Sequence, residues 1–324
     1  MINASGLART FTTRTGPVEA VRGVDLDVDA GEIVGFLGPN GAGKTTTLRM
    51  LTTLLRPTAG TATVAGHDLL RDPVGVRRRI GYVAQGGTSL PQARAGEEIV
   101  DQARLYGIGK ADALERGHEL FDRLDLEGLW DRSCASLSGG QRRRLDIALG
   151  LVHAPQLVFL DEPTTGLDPQ SRANLWEHVR SLRESGATVF LTTHYLDEAD
   201  ALCDRILVID NGLIVASGTP LELKRQVSGD AVTLTLKDLS RAADAATLAG
   251  ALAGADEPAV DGALVVVHVP DGSSTLPALL RDLDAKGIEL AGVEVRRPTL
   301  DDVFLTLTGR SLRDEPAAAS ESAR

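Results

Sequence analysis

Gly38, Pro39, Asn40, Gly41, Ala42 and Gly43 run directly into Lys44, Thr45 and Thr46, and the spacing is that of a phosphate-binding turn, G-x-x-x-x-G-K-T. Glycines here let the backbone curl so that several N–H groups point inward, and a helix behind them adds the positive end of its dipole. In such a cradle Lys44 reaches the β- and γ-phosphates as a point charge, and the Thr45 hydroxyl holds Mg²⁺. A second chemical centre is the acid pair Asp161 and Glu162. Asp161 suits Mg²⁺ coordination through water, and Glu162 suits orienting and deprotonating an attacking water.

Other positions carry weaker signals, each with two readings. Phe11 is either a π-face for a nucleotide base or an ordinary core ring. Gln85, ahead of a hinge-like Gly86-Gly87, offers an amide oxygen to Mg²⁺ or to the attacking water, whereas a lone glutamine is ordinarily surface filler. Ser138, Gly139, Gly140 and Gln141 open a helix, which makes either a second anion-ready N-terminus or a plain cap beneath a basic patch, Arg142 to Arg144. Asp168 is a bridging acid or the N-cap of a helix starting near Pro169. His194 either donates to a γ-phosphate or is structural.

The elements that must position these groups are legible in the apolar pattern. Residues 32–37 read as a buried strand entering the glycine turn, and 47–51 as the helix leaving it. Leu157 to Leu160 marks a strand buried on both faces, as in a parallel sheet, so Asp161 and Glu162 fall at its C-terminal end, where α/β folds bind ligands. Residues 187–193 read as another such strand, ending at His194. Residues 1–11 and 18–28 alternate as antiparallel edge strands around a loop at 12–17, and 61–64 and 79–85 are also strand-like. Helical periodicity fills 96–125, and Asn211-Gly212 turns a hairpin. Beyond residue 227 the composition changes. Strands at 232–236, 264–269 and 288–295, with helices near 241–252, 274–286 and 300–307, give a β-α-β-α-β-α unit with no catalytic constellation, either regulatory and dimer-supporting or passive.

Bulk properties narrow the classes. The 324 residues suffice for one large domain or two smaller ones, and 43% hydrophobic with 24% charged residues is the balance of a soluble globular protein. No apolar run approaches the ~20 residues that span a bilayer, and the N-terminus lacks a signal sequence, so a cytoplasmic location is expected. The net charge of −11 disfavours nucleic acid as a partner. Cys134 and Cys203 show neither metal nor disulfide spacing and read as packing residues.

Taken in order, the glycine turn, Gln85, Leu137-Ser-Gly-Gly-Gln141, Asp161-Glu162, Asp168 and His194 resemble the ATP-binding subunit of ATP-binding cassette (ABC) proteins over roughly residues 2–225. That resemblance implies an α/β P-loop NTPase fold: a RecA-like core, an antiparallel β subdomain and a helical subdomain at about 88–154, all within 1–227. A small α+β domain at 228–310 and a disordered tail at 311–324 follow. It implies ATP and Mg²⁺ as cofactors and a head-to-tail homodimer, each ATP clamped between one copy's P-loop and the other's Leu-Ser-Gly-Gly-Gln. By the same resemblance Phe11 stacks on adenine, Lys44 and Thr45 hold phosphate and Mg²⁺, and Gln85 and Asp161 complete the metal site. Glu162 is the general base, His194 senses the γ-phosphate, and Ser138, Gly140 and Gln141 serve the partner's ATP.

A narrower likeness lies in Arg142-Arg-Arg-Leu-Asp146 and in Arg297-Pro-Thr-Leu-Asp-Asp-Val-Phe-Leu-Thr-Leu-Thr-Gly309, which look like the daunorubicin-resistance type of exporter ATPase. It implies a separate integral-membrane permease, a peripheral place on the inner face of the cell membrane, and efflux of a hydrophobic drug or antibiotic. Residues 87–96 depart from the family pattern in the segment that meets the permease in relatives. An importer ATPase and a soluble, non-transport ABC protein are the competing readings. The single P-loop, single signature motif and lack of a cysteine cluster argue against the second, and the alternating strands and helices of the C-terminal region against the first.

Overall fold

The computed structural model describes residues 1–14, 16–227 and 229–309. In chain order its strands are β1 (Ile2–Thr13), β2 (Gly16–Val28), β3 (Ile33–Leu37), β4 (Ala59–Val64), β5 (His67–Asp68), β6 (Ile80–Val83), β7 (Leu157–Asp161), β8 (Thr188–Thr193), β9 (Arg205–Asp210), β10 (Leu213–Gly218), β11 (Asp230–Leu236), β12 (Ala259–Asp261), β13 (Leu264–Val269) and β14 (Leu290–Arg296). β3, β7 and β8 are buried at every position, which only a strand covered on both faces tolerates. They form the middle of a six-stranded sheet of order β10-β9-β3-β8-β7-β6, parallel except for the β9–β10 hairpin. Phe36, Phe159 and Phe190 meet across its centre with ring centroids 5.6 and 5.7 Å apart, tilted contacts that add about 1 kcal/mol each beyond the area they bury.

Helices α1 (Lys44–Leu51), α2 (Pro73–Arg79), α3 (Ala95–Leu105), α4 (Lys110–Arg123), α5 (Gly139–Leu151), α6 (Pro169–Glu184) and α7 (Leu196–Leu202) complete the first of two compact units, Met1–Pro220. A second, antiparallel sheet of order β2-β1-β4-β5 carries the N-terminal strands. Phe11 pairs with Val18, so the turn between β1 and β2 is tighter than the 12–17 loop expected. The helical stretch expected at 96–125 divides at Tyr106-Gly107 into α3 and α4, and these pack with α5 as a separate lobe. The strand-like reading of 79–85 holds for β6 but misses α2 before it, whose start is marked by Asp72 accepting from the Gly75 N–H and by Pro73 in the first turn.

The second unit begins at Leu221. After α8 (Pro220–Arg225) it holds α9 (Ala242–Gly250), α10 (Gly272–Ala285) and α11 (Leu300–Thr308), with an antiparallel sheet of order β12-β13-β11-β14. Val232, Leu234, Leu236, Val265 and Val267 face Ala245, Ala249, Leu279 and Leu283 in its core. The unit is α+β as expected, but it carries one strand more than β-α-β-α-β-α: β12 is only Ala259–Asp261, fully exposed and paired solely through the Gly262 turn to β13, too short to show a periodicity. The expected disordered tail at 311–324 lies outside the described residues.

Candidate active site

The buried strand β3 delivers the chain into the glycine turn, and the turn is possible because two positions have no side chain. A Cβ on Gly38 would lie 2.2 Å from the Ile209 carbonyl oxygen. Gly43, at φ +106°, would place one 2.5 Å from the Ala20 oxygen. The turn therefore packs against β9 and β2, and α1 starts at Lys44 with its N-terminus over the hollow. That hollow, about 190 Å³, is lined by Ala20, Pro39, Asn40, Gly41, Gly43, Lys44, Thr45, Thr46, Gln85 and Glu162. Lys44 is 3% exposed; its ammonium donates to the carbonyls of Gly38 (2.7 Å) and Pro39 (3.0 Å) and lies 3.3 Å from Glu162 Oε1.

The acid pair stands opposite, where β7 ends. Asp161 Oδ1 accepts from the hydroxyls of Thr192 (2.7 Å) and Thr45 (3.1 Å), so the acid, the P-loop threonine and β8 are tied at one oxygen. Glu162 turns away with φ +43°, a left-handed conformation that costs an L-residue roughly 1–2 kcal/mol. Its N–H donates to both the carbonyl (3.1 Å) and the hydroxyl (3.0 Å) of Thr192. Its Oε2 accepts from Gln85 Nε2 at 2.9 Å and Thr165 Oγ1 at 3.2 Å and lies 3.2 Å from His194 Nδ1. Burial pushes the Glu162 carboxyl up, but the His194 hydrogen bond and the Lys44 charge outweigh it and hold the group down at about 2. Glu162 is thus an anion at neutral pH.

An ammonium, a threonine hydroxyl, a carboxamide and two carboxylates around one concavity are hard donors and charges that fit a Mg²⁺-bound polyphosphate. The structure brings together Lys44, Thr45, Gln85, Asp161, Glu162 and His194. It does not bring Ser138, Gly139, Gly140, Gln141, Asp168 or Phe11 into the lining of that hollow. Ser138 caps α5 through a reciprocal box: the Gln141 N–H donates to its hydroxyl (3.2 Å), and its own N–H donates to Gln141 Oε1 (3.0 Å). Ser138 and Gly139 are exposed. Asp168 is the N-cap of α6, accepting from the Ser171 N–H (2.9 Å) and hydroxyl (2.6 Å); the hydroxyl bond foremost lowers its carboxyl below the usual range. Phe11 is half-buried with the Arg9 guanidinium 4.7 Å from its ring centroid, and its neighbour Thr10 lines an open hollow shared with Ala20, Gly41 and Asn211.

The three arginines read as a basic patch are not one. Arg142 donates to the Cys134 carbonyl and Arg144 lies 3.3 Å from Asp125. Arg143 is 7% exposed and donates to the carbonyls of Ala84 (2.6 Å), Asp161 (3.0 Å) and Pro163 (2.8 Å). One turn on, Asp146 accepts from the N–H groups of Thr88 (2.9 Å) and Ser89 (3.1 Å). The signal available was periodicity: Arg143 and Asp146 stand three apart, on the α5 face that also carries the buried Ile147 and Gly150. Both cysteines are buried and unpaired, in keeping with packing roles.

This is the geometry of a phosphate-binding ATPase core, and the comparisons with known proteins give its class. Residues 21–165 match the ABC transporter family, and residues 218–308 match the C-terminal domain of DrrA1-3-like ATP-binding proteins. The chain is 45% identical to the daunorubicin resistance ATP-binding protein DrrA3 of Streptomyces coeruleorubidus, covering 94% of this chain and 96% of that one. It is 39% identical to the Nod factor export ATP-binding protein I of Cupriavidus metallidurans, over 91% and 94% of the respective chains. Among solved structures, a dimeric ATP-binding cassette bound to ADP and Pi in a post-hydrolysis state superposes with a TM-score of 0.63 and 25% identity, covering 68% of this chain and 98% of that one. The chain belongs to the ATP-binding subunits of ABC transporters and is related to the DrrA-like daunorubicin-resistance proteins. It is an ATPase with the RecA-like core, antiparallel sheet and helical lobe of that family, joined to a small α+β domain. No described helix is long and apolar enough to cross a membrane.

Proposed function

We propose that the chain hydrolyses ATP as a homodimer under a separate membrane permease and energises export of a hydrophobic compound. One observation carries the dimer: Lys44, Thr45, Gln85, Asp161, Glu162 and His194 converge at the P-loop hollow, while the Leu137 to Gln141 segment keeps its helix N-terminus exposed and outside it. One P-loop neutralises only part of a triphosphate, and a second helix N-terminus supplies donors from the opposite face. The export assignment draws on the full-length similarity to resistance and Nod factor export proteins and on the matching C-terminal domain. Such a subunit sits in the cytoplasm against the inner face of the membrane. Domain limits of 1–227 and 228–310, with the helical subdomain at about 88–154, belong to this reading, and the C-terminal domain supports the dimer or regulates it.

Bound Mg²⁺–ATP supplies the anhydride whose cleavage releases the energy. Lys44 and the turn from Gly38 to Thr46 hold phosphate, and Thr45, Gln85 and Asp161 hold the metal. Phe11, on β1, stacks on the base. Ser138, Gly139, Gly140 and Gln141 reach the partner's nucleotide, with Asp168 at the junction. Glu162, ionised and aimed by Gln85 and His194, orients water and accepts its proton. Lys44 serves both sides: as it turns from Glu162 toward phosphate, it withdraws a charge that holds the carboxyl down, and Glu162 becomes more basic at the moment a base is needed. The test is co-expression with a candidate multi-span permease, in inverted membrane vesicles. Compound-stimulated hydrolysis with ATP-driven movement into the vesicles is expected; movement in the opposite sense would contradict export.

A further inference from the structure

Glu162 is the one site residue held in a strained backbone, and such a conformation persists only where its surroundings over-determine it. Its own N–H is fixed by Thr192, but the carbonyls on either side of it, those of Asp161 and Pro163, accept from a single guanidinium. The third bond of that guanidinium, at 2.6 Å, goes to the carbonyl of Ala84, the residue before Gln85. Gln85 is in turn the residue whose amide donates to Glu162 Oε2. Arg143 therefore clamps the backbone on both sides of the carboxylate and the backbone beside its orienting amide.

The same helix holds the other end of the Gln85 segment, since Asp146 accepts from the Thr88 and Ser89 N–H groups. Burying a guanidinium is costly, and burial foremost pulls Arg143 below its ordinary value while the Asp146, Asp161 and Glu198 charges offset part of that. A planar fork with donors at fixed angles suits three carbonyls from separate segments, and an ammonium cannot replace it.

We propose that Arg143 is a positioning residue for hydrolysis: it sets the Glu162 carboxylate and the Gln85 amide relative to each other, with Asp146 securing the loop from the far side. The inference rests on Glu162 being the hydrolytic carboxylate. It also makes α5 a two-ended element, with Ser138 at the end that faces a second copy and Arg143 one turn further on, at the chain's own carboxylate.

The experiment uses the full chain and measures steady-state ATP hydrolysis, ATP binding and thermal melting for Arg143→Lys, Asp146→Asn, Glu162→Gln and the Arg143→Lys/Glu162→Gln double variant. Arg143→Lys keeps the charge and loses the fork, and is expected to lower kcat by about 30-fold with KM for ATP within about twofold of the parent. Asp146→Asn is expected to lower kcat by about fivefold, again with KM unchanged. In the Glu162→Gln background the lysine change should lower the residual rate no further, because it acts through the carboxylate. Parental kcat in Arg143→Lys, or equal losses of ATP binding and turnover, would overturn the proposal. If Arg143→Lys fails to fold, Asp146→Asn decides, and a parental rate there overturns it. Undiminished hydrolysis in Glu162→Gln would instead sink the underlying assignment of the base.

Discussion

The chain presents two helix N-termini suited to anions, at α1 and α5, and they are built differently. At α1 the positive end is enclosed by its own chain: Lys44 is buried against two carbonyls and Glu162, and Thr45 is bonded to Asp161. At α5 the positive end is closed only by its own capping box, and Ser138 and Gly139 stand exposed. The same dipole physics thus yields one end that is enclosed within the chain and one that is open to solvent, the end the proposed dimer would use. The far side of α5 is the opposite of exposed, with Arg143 and Asp146 buried among the loops of the first site.

That contrast is sharpest for the groups proposed to perform hydrolysis. Glu162→Gln is expected to lower turnover about 1,000-fold while ATP still binds, measured by steady-state hydrolysis beside equilibrium binding. Lys44→Ala removes charge-assisted contacts to phosphate and is expected to weaken ATP binding by about 100-fold, read by titration calorimetry. Ser138→Ala belongs to the other half. It should leave ATP binding to a single chain unchanged and reduce hydrolysis by about 10-fold, besides costing the α5 cap about 1 kcal/mol in a thermal melt.

The smallest effect is on acid stability. The Glu162 carboxyl falls from 4.5 to about 2 on folding, so its network stabilises the protein fully above pH 4.5 and loses that stabilisation as pH drops from 4.5 through about 2. The contribution is on the order of 3 kcal/mol. Glu162→Gln should flatten the acid limb of stability over that window, measured by denaturant unfolding at stepped pH.

Much of the P-loop half was legible because its signals are local. The Gly38 to Thr46 spacing dictates a turn, the uninterrupted apolar runs before it and before Asp161 dictate buried parallel strands, and residues at strand ends share one edge of a sheet. Asp168 and Ser138 could not be assigned by sequence alone, because a capping acid or hydroxyl and a ligand-binding one are the same residue in the same place; the bonds to Ser171 and Gln141 show the caps. Arg143 was hidden for the converse reason. Three arginines in a row look like a solvated patch, and only the tertiary fold reveals that the middle one points to three main-chain carbonyls contributed by segments 18 to 59 residues away. The short β12 and the break at Tyr106-Gly107 escaped because neither has the length to show a period.

The central claim is that the enclosed half and the exposed half of one ATP site lie in different copies of the chain, and mixing two inactive chains tests it. One chain carries Lys44→Ala and the other Ser138→Arg, which blocks the α5 end with bulk and charge. In a mixed dimer both lesions fall in one site, and the second site is built from an intact P-loop and an intact α5 end. The account predicts that hydrolysis reappears on mixing, well above the rate of either variant alone. A mixture no more active than the sum of its parts would contradict it and return the whole site to a single chain.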